Sequence, residues 1–144
     1  MTKRIVTFFP LLAAALFLFG FDGKVLLSEY KAKNVEEESI IEALIDYEKA
    51  YNEKDKERLL SFFSADAKLK PCGEWSQFSK DDYAKKFPDK WISYPQYQFY
   101  NPEVLITGKM AELKLNLASG GWIVDYKINM VNESGKWLIQ ETSF

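Results

Sequence analysis

The chain has 144 residues, 19 Lys and Arg, 21 Asp and Glu, and no histidine. That is the length of one domain, its 47% apolar content excludes wholesale disorder, and a formal charge of −2 gives no footprint for nucleic acid. The lack of histidine excludes a Ser-His-Asp triad, a Cys-His pair and histidine-bearing metal sites, and a single cysteine excludes an internal disulfide.

Lys3 and Arg4 precede an uncharged run over residues 5–21, IVTFFPLLAAALFLFGF. A positive start followed by an apolar run reads as a secretory signal, because a run that is apolar all round has no face to turn to water. Ala13, Ala14 and Ala15 lie too early in the run for processing, and the small residues at and beyond its end, Gly20 and Gly23, have large residues upstream. An uncleaved leader would be an N-terminal membrane anchor, its seventeen residues spanning roughly 25 Å of a ~30 Å hydrocarbon core. In both cases the expectation is export, periplasmic or secreted, with the membrane a partner only through this segment. The exported part then carries 17 basic and 21 acidic residues and keeps 18 aromatics. So many rings in a small domain require a core, a pocket or an interface.

Residues 22–34 read as a mixed, polar-tending connector and 35–144 as the domain. Asn34-Val35-Glu36-Glu37 is an N-cap with an acidic third position. It opens a helix over 35–53, with Ile40, Leu44, Tyr47 and Tyr51 on one face. Asp55 caps a second helix bearing Leu59, Leu60, Phe62 and Phe63, expected to end near 64–66. A short strand Ala67–Lys70, the turn Pro71-Cys72-Gly73 and a returning strand Glu74–Phe78 follow. Ser79 with Asp82 caps a third helix running to Phe87 or Trp91.

From Tyr94 the period changes to two. Tyr97–Ile106, Met110–Ala118, Trp122–Val131 and Trp137–Ser143 read as strands, separated by Gly108, Ser119-Gly120-Gly121 and Asn132-Glu133-Ser134-Gly135. Helices first and a meander afterwards make an α+β domain, three helices packed on one face of a strongly curved antiparallel sheet. Trp122, Val124, Tyr126, Ile128 and Met130 alternate on the face expected to turn inward.

Two segments, YEKAYNEKDKERLLSFFSADA at 47–67 and NESGKWLI at 132–139, resemble the nuclear transport factor 2-like superfamily, which includes ketosteroid isomerase and polyketide-cyclase-like enzymes. The resemblance covers roughly residues 36–143. It implies a cone-shaped, cystatin-like α+β roll with one open apolar mouth. It also sets Tyr47, eight residues before Asp55, where the isomerase has its oxyanion-hole tyrosine. The isomerase's basic carboxylate stands just before a proline, and here that position reads Leu69-Lys70-Pro71. Its late-strand aspartate falls near Asp125, although an ungapped register lands on Lys127. Proton abstraction needs a positioned base, so isomerase chemistry is disfavoured.

The expected site is an apolar cavity lined by Leu44, Tyr47, Tyr51, Phe63, Trp91, Tyr97, Trp122 and Tyr126. The same rings would serve equally as core, with hydroxyls at the rim. Cys72 reads as a quiet thiol in a turn. No Gly-rich phosphate loop and no ligand cluster at metal spacing occurs, so no cofactor is expected. The favoured function is a non-catalytic exported protein binding a small apolar or amphipathic ligand in the cone. One alternative is an envelope interaction protein, a homodimer through its exposed sheet face. The other is an isomerase, dehydratase or cyclase-type enzyme pairing Tyr47 with Asp125 or Glu141.

Overall fold

A computed structural model of the chain describes residues 23–71, 74–91 and 93–144, the stretch 87–91 by its backbone alone. The leader, Cys72 in its turn and the side chain of Trp91 lie outside the described residues.

Helix α1 spans Val35–Asn52, and the Asn34 side chain accepts from the Glu37 N–H at 2.8 Å. Ile40, Leu44, Tyr47 and Tyr51 are all buried on its inner face. Each such side chain contributes roughly 1.5–3 kcal/mol, against about 1 kcal/mol for the cap. Burial therefore fixes which face turns inward, and the cap fixes only where the helix begins.

Helix α2 spans Lys56–Ser61, capped by Asp55 through the Arg58 N–H. It ends earlier than the expected 64–66, and strand β1 (Phe63–Leu69) begins earlier than the expected Ala67. The reason is long-range: the Ile139 N–H donates to the Phe62 carbonyl at 2.7 Å, and that bond draws the chain out of the helix. Strand β2 is only Phe78–Ser79, paired antiparallel with Lys68 and Leu69. Helix α3 spans Lys80–Trp91, with the Ser79 hydroxyl accepting from the Asp82 N–H at 3.1 Å.

Strands β3 (Gln98–Thr107), β4 (Met110–Ser119), β5 (Trp122–Glu133) and β6 (Lys136–Ser143) follow, close to the expected spans. The six strands form one sheet in the order β2-β1-β6-β5-β4-β3. Every pair is antiparallel except β1–β6, which is parallel and so makes the sheet mixed. On the inner face Leu113 lies opposite Ile128, Leu115 opposite Tyr126, and Leu117 opposite Val124. On the outer face Asn116 lies opposite Asp125 and Lys114 opposite Lys127. The helices cover the inner face.

The stretch read as a connector is tied to the sheet. Val25 and Asn101 exchange two hydrogen bonds of 2.8 Å, Val25 N–H to Asn101 Oδ1 and Asn101 N–H to the Val25 carbonyl. Leu26 bridges Tyr100, a 3-10 turn Leu27–Glu29 follows, and Leu27 is buried. The Tyr30 hydroxyl then donates to the carboxylate of Glu37, itself buried in the first turn of α1.

Candidate functional site

Tyr47 is the centre of the interior. Its ring meets Phe62 and Phe63 edge-on, with centroids at 6.0 and 5.9 Å, and lies parallel to Phe99 at 6.0 Å. Phe99 is parallel to Tyr126, again at 6.0 Å, and Tyr126 contacts Phe144 at 5.4 Å. The four rings Tyr47, Phe99, Tyr126 and Phe144 make a column that runs from α1, across β3 and β5, to the end of the chain. Alongside it Tyr51 stacks on Tyr97 at 3.6 Å, and Phe63 meets Tyr83 edge-on at 5.3 Å.

Leu44, Tyr47, Tyr51, Phe63, Tyr97 and Tyr126 are thus brought together in one buried cluster, as expected. The expected open space between these walls is not what the described side chains show, because the rings meet one another. Trp122 is a correction. It has the inward parity of β5, but it is 75% exposed. Strand β5 begins at the β4–β5 hairpin, beyond the reach of the helices, so parity alone does not bury it. The rings that sequence reasoning left out are Phe99, Tyr83, Phe62 and Phe144. Phe99 could have been found, since it shares a face with Tyr97 at strand spacing.

The interior electrostatics follow from burial. The hydroxyls of Tyr47, Tyr83 and Tyr97 are pushed well above the ordinary phenol value, first by desolvation and then by the neighbouring tyrosines. They stay neutral across the physiological range. Tyr126 donates to the Lys70 carbonyl at 3.4 Å, and the Lys70 N–H donates to the Thr142 hydroxyl at 2.8 Å. The end of β1, where the isomerase pattern needs a base, is therefore stitched to β5 and β6. The ammonium of Lys70 sits over the Phe144 ring, 5.3 Å from its centroid.

Asp125 and Glu141 do not reach Tyr47. Asp125 stands on the outer face, where it accepts from the Asn116 amide at 2.9 Å. Glu141 accepts from the Gln77 amide at 3.3 Å. Glu48, on α1, is pushed up by burial and partly lowered again by the Phe99 N–H it accepts at 2.7 Å. Among the described residues no group of three or more acidic, histidine or cysteine side chains could hold a metal ion.

The ring column surfaces in a groove of about 540 Å³. Its polar lining comes from the outer face, with Asn101, Glu103, Asn116, Asp125 and Lys127 among it; Phe144 is its exposed ring, while Leu115 and Tyr126, buried on the inner face, offer it little surface. Those polar groups are pre-positioned. Asn101 donates to Asn116 at 3.1 Å, Asn116 donates to Asp125, and Lys127 pairs with Glu112 at 3.0 Å.

No family model matches the sequence, and no curated protein matches it. Solved structures do. An NTF2-like protein from Cytophaga hutchinsonii is similar with a TM-score of 0.65 and 16% identity, over 76% of this chain and 96% of that one. A protein of unknown function with a cystatin-like fold from Nostoc punctiforme has a TM-score of 0.63 and 15% identity, over 78% and 92% of the two chains. A Shewanella frigidimarina protein provisionally named a ketosteroid isomerase has a TM-score of 0.62 and 13% identity, over 72% and 92%. The chain therefore has the nuclear transport factor 2-like, cystatin-like α+β fold.

Proposed function

We propose that this is an exported, non-catalytic protein that binds a small amphipathic molecule where the aromatic column reaches the surface at Phe144. The observation that carries the reading is the lining of the 540 Å³ groove. It joins the half-exposed ring of Phe144 to a hydrogen-bonded polar ladder on the outer face, which suits a ligand with an apolar body and a polar edge. The volume lies within the usual range for small-molecule sites, roughly 300–1,000 Å³. The position of the ligand shifts from the interior expected from sequence to the outlet of the ring column, because the interior rings pack on one another. The catalytic alternative would need a carboxylate facing Tyr47 other than Asp125 or Glu141.

A dye that fluoresces in apolar surroundings should bind with roughly micromolar affinity, about −8 kcal/mol. Phe144→Ala should weaken binding at least several-fold with a smaller loss of stability than a fully buried ring would show, since Phe144 is 47% exposed and packs only at the end of the column. Native mass spectrometry of the protein from its own host should show a co-purifying small molecule. Dye binding that Phe144→Ala leaves unchanged would overturn this placement of the site.

A further inference from the structure

Strand β3 is an outer strand of the sheet, and the chain treats the two halves of its open edge differently. In the first half the outward-facing N–H groups are covered. Asn52 takes both the N–H and the carbonyl of Tyr97, Glu48 takes the N–H of Phe99, and Val25 takes the N–H of Asn101. At Asn101 and Pro102 the register with β4 shifts, so Glu103 faces Lys114, Leu105 faces Glu112 and Thr107 faces Met110. Continuing the alternation, Glu103, Leu105 and Thr107 bond to β4, while Val104 and Ile106 turn their N–H and carbonyl groups to the free side. The side chains of Val104 and Ile106 pack on the core, but among the described residues no hydrogen bond from α1 ties the outward-facing backbone of this second half. Open strand edges are sites of strand addition, and an edge that the described residues cover over one half and leave apolar at Val104, Leu105 and Ile106 over the other offers a pairing surface.

We propose that this edge pairs with the same edge of a second copy of the chain, antiparallel about a two-fold axis at Leu105. The sequence of the edge is self-complementary in that register. Val104 of one chain meets Ile106 of the other, twice, giving four backbone hydrogen bonds. Leu105, 65% exposed in the single chain, meets its own counterpart on the outer face. Glu103 faces Thr107 of the other copy and lies diagonally from its Lys109, within reach of a charge pair. No like charges meet. The ladder is short, so the dimer should be weak, with dissociation on the order of micromolar or above. The inference does not rest on the proposed ligand, although Glu103 borders both the groove and this edge.

Sedimentation of the full chain over a concentration series should show a monomer–dimer equilibrium. Leu105→Lys, at an exposed position, should raise the dissociation constant at least tenfold without changing the melting temperature by more than a degree or two. Glu103→Lys should raise it several-fold, and adding Lys109→Glu should restore it. In a Cys72→Ser background, Leu105→Cys should give a disulfide-linked dimer on mild oxidation, because like-facing residues in such a pair lie within bridging distance. Thr107→Cys should not, since it faces residue 103 of the other copy. A chain that stays monomeric would overturn the proposal, whether its Val104 and Ile106 amides exchange freely or are protected by its own upstream segment. A dimer indifferent to Leu105→Lys would overturn it too, since such a dimer uses another surface.

Discussion

The side-chain amide of Asn52 acts as a strand against Tyr97, accepting its N–H at 2.7 Å and donating to its carbonyl at 2.8 Å. One residue of α1 thereby fixes where β3 begins. Asn52→Leu leaves both backbone groups without their partner and should destabilise the fold by about 1–3 kcal/mol in urea unfolding. Asn52→Asp keeps the acceptor but sets a carboxylate against a carbonyl, so it should destabilise as well.

Glu48 supplies a pH signature. Its carboxyl is pushed above the ordinary value by burial, so the folded chain holds this proton to a higher pH than the unfolded chain does. As pH rises from the ordinary carboxylate value through the raised one, the unfolded state releases its proton first. This group's contribution to stability therefore falls across that window and is flat above it. Glu48→Gln keeps an acceptor for the Phe99 N–H and cannot ionise. The stability difference between Gln variant and wild type should grow in favour of the variant as pH rises through the window, measured by urea unfolding. A difference that does not change with pH would contradict this assignment.

Tyr47 separates ring from hydroxyl. Tyr47→Ala removes contacts to Phe62, Phe63 and Phe99 and should cost about 3–5 kcal/mol. Tyr47→Phe keeps the ring and should cost about 1 kcal/mol or less. In an alkaline absorbance titration Tyr47, Tyr83 and Tyr97 should ionise only as the chain unfolds, because burial holds their hydroxyls neutral. Early, reversible ionisation of all the tyrosines would contradict the buried cluster.

Gly120 and Gly121 form the β4–β5 hairpin, both with positive φ, +58° and +85°. A Cβ on Gly120 would stand 2.7 Å from Pro95 Cγ, whereas one on Gly121 meets nothing within 4 Å. Gly121→Ala should cost about 1–2 kcal/mol for the left-handed backbone alone. Gly120→Ala should cost more, since the proline ring must move, and comparison of the two melting curves checks the order.

Export rests on Lys3, Arg4 and the uncharged run that follows them. A reporter fused after residue 34 should be found outside the cytoplasmic membrane, and a cytoplasmic reporter would end that proposal. N-terminal sequencing of the purified protein distinguishes a cleaved leader from an anchor.

Local chemistry made much of the fold legible. Asn34, Asp55 and Ser79 cap helices as their side chains dictate, and the glycine turns divide the strands where alternation stops. What the sequence hid depends on partners far along the chain. Phe62 and Phe63 sit at helical spacing from Leu59, yet Phe63 joins a strand because Ile139 bonds its neighbour. Residues 24–30 carry Val25, Leu26, Leu27 and Tyr30 but are too short to show a period, and their attachment to Asn101 and Glu37 becomes visible only once the sheet edge exists. In the candidate site, parity identified Tyr126 and misjudged Trp122, since alternation reports a face and not how far the cover over that face extends. The ring column was hidden for a similar reason: Tyr47, Phe99 and Tyr126 come from three elements, and no spacing links them.

The parallel ladder between β1 and β6 also constrains when the chain can fold. Phe63 pairs with Ile139 across more than half of the sequence, and β6 lies between β1 and the rest of the meander. Strand β1 therefore has no partner in the meander until β6 has been synthesised, although α1 can already rest on β3. Folding from the N-terminus is closed to this topology. Closing so distant a contact is slow, and single-exponential refolding in the millisecond-to-second range is expected. A growing chain of this kind cannot complete its sheet until β6 emerges, so its first strand edge stays unpaired through most of synthesis.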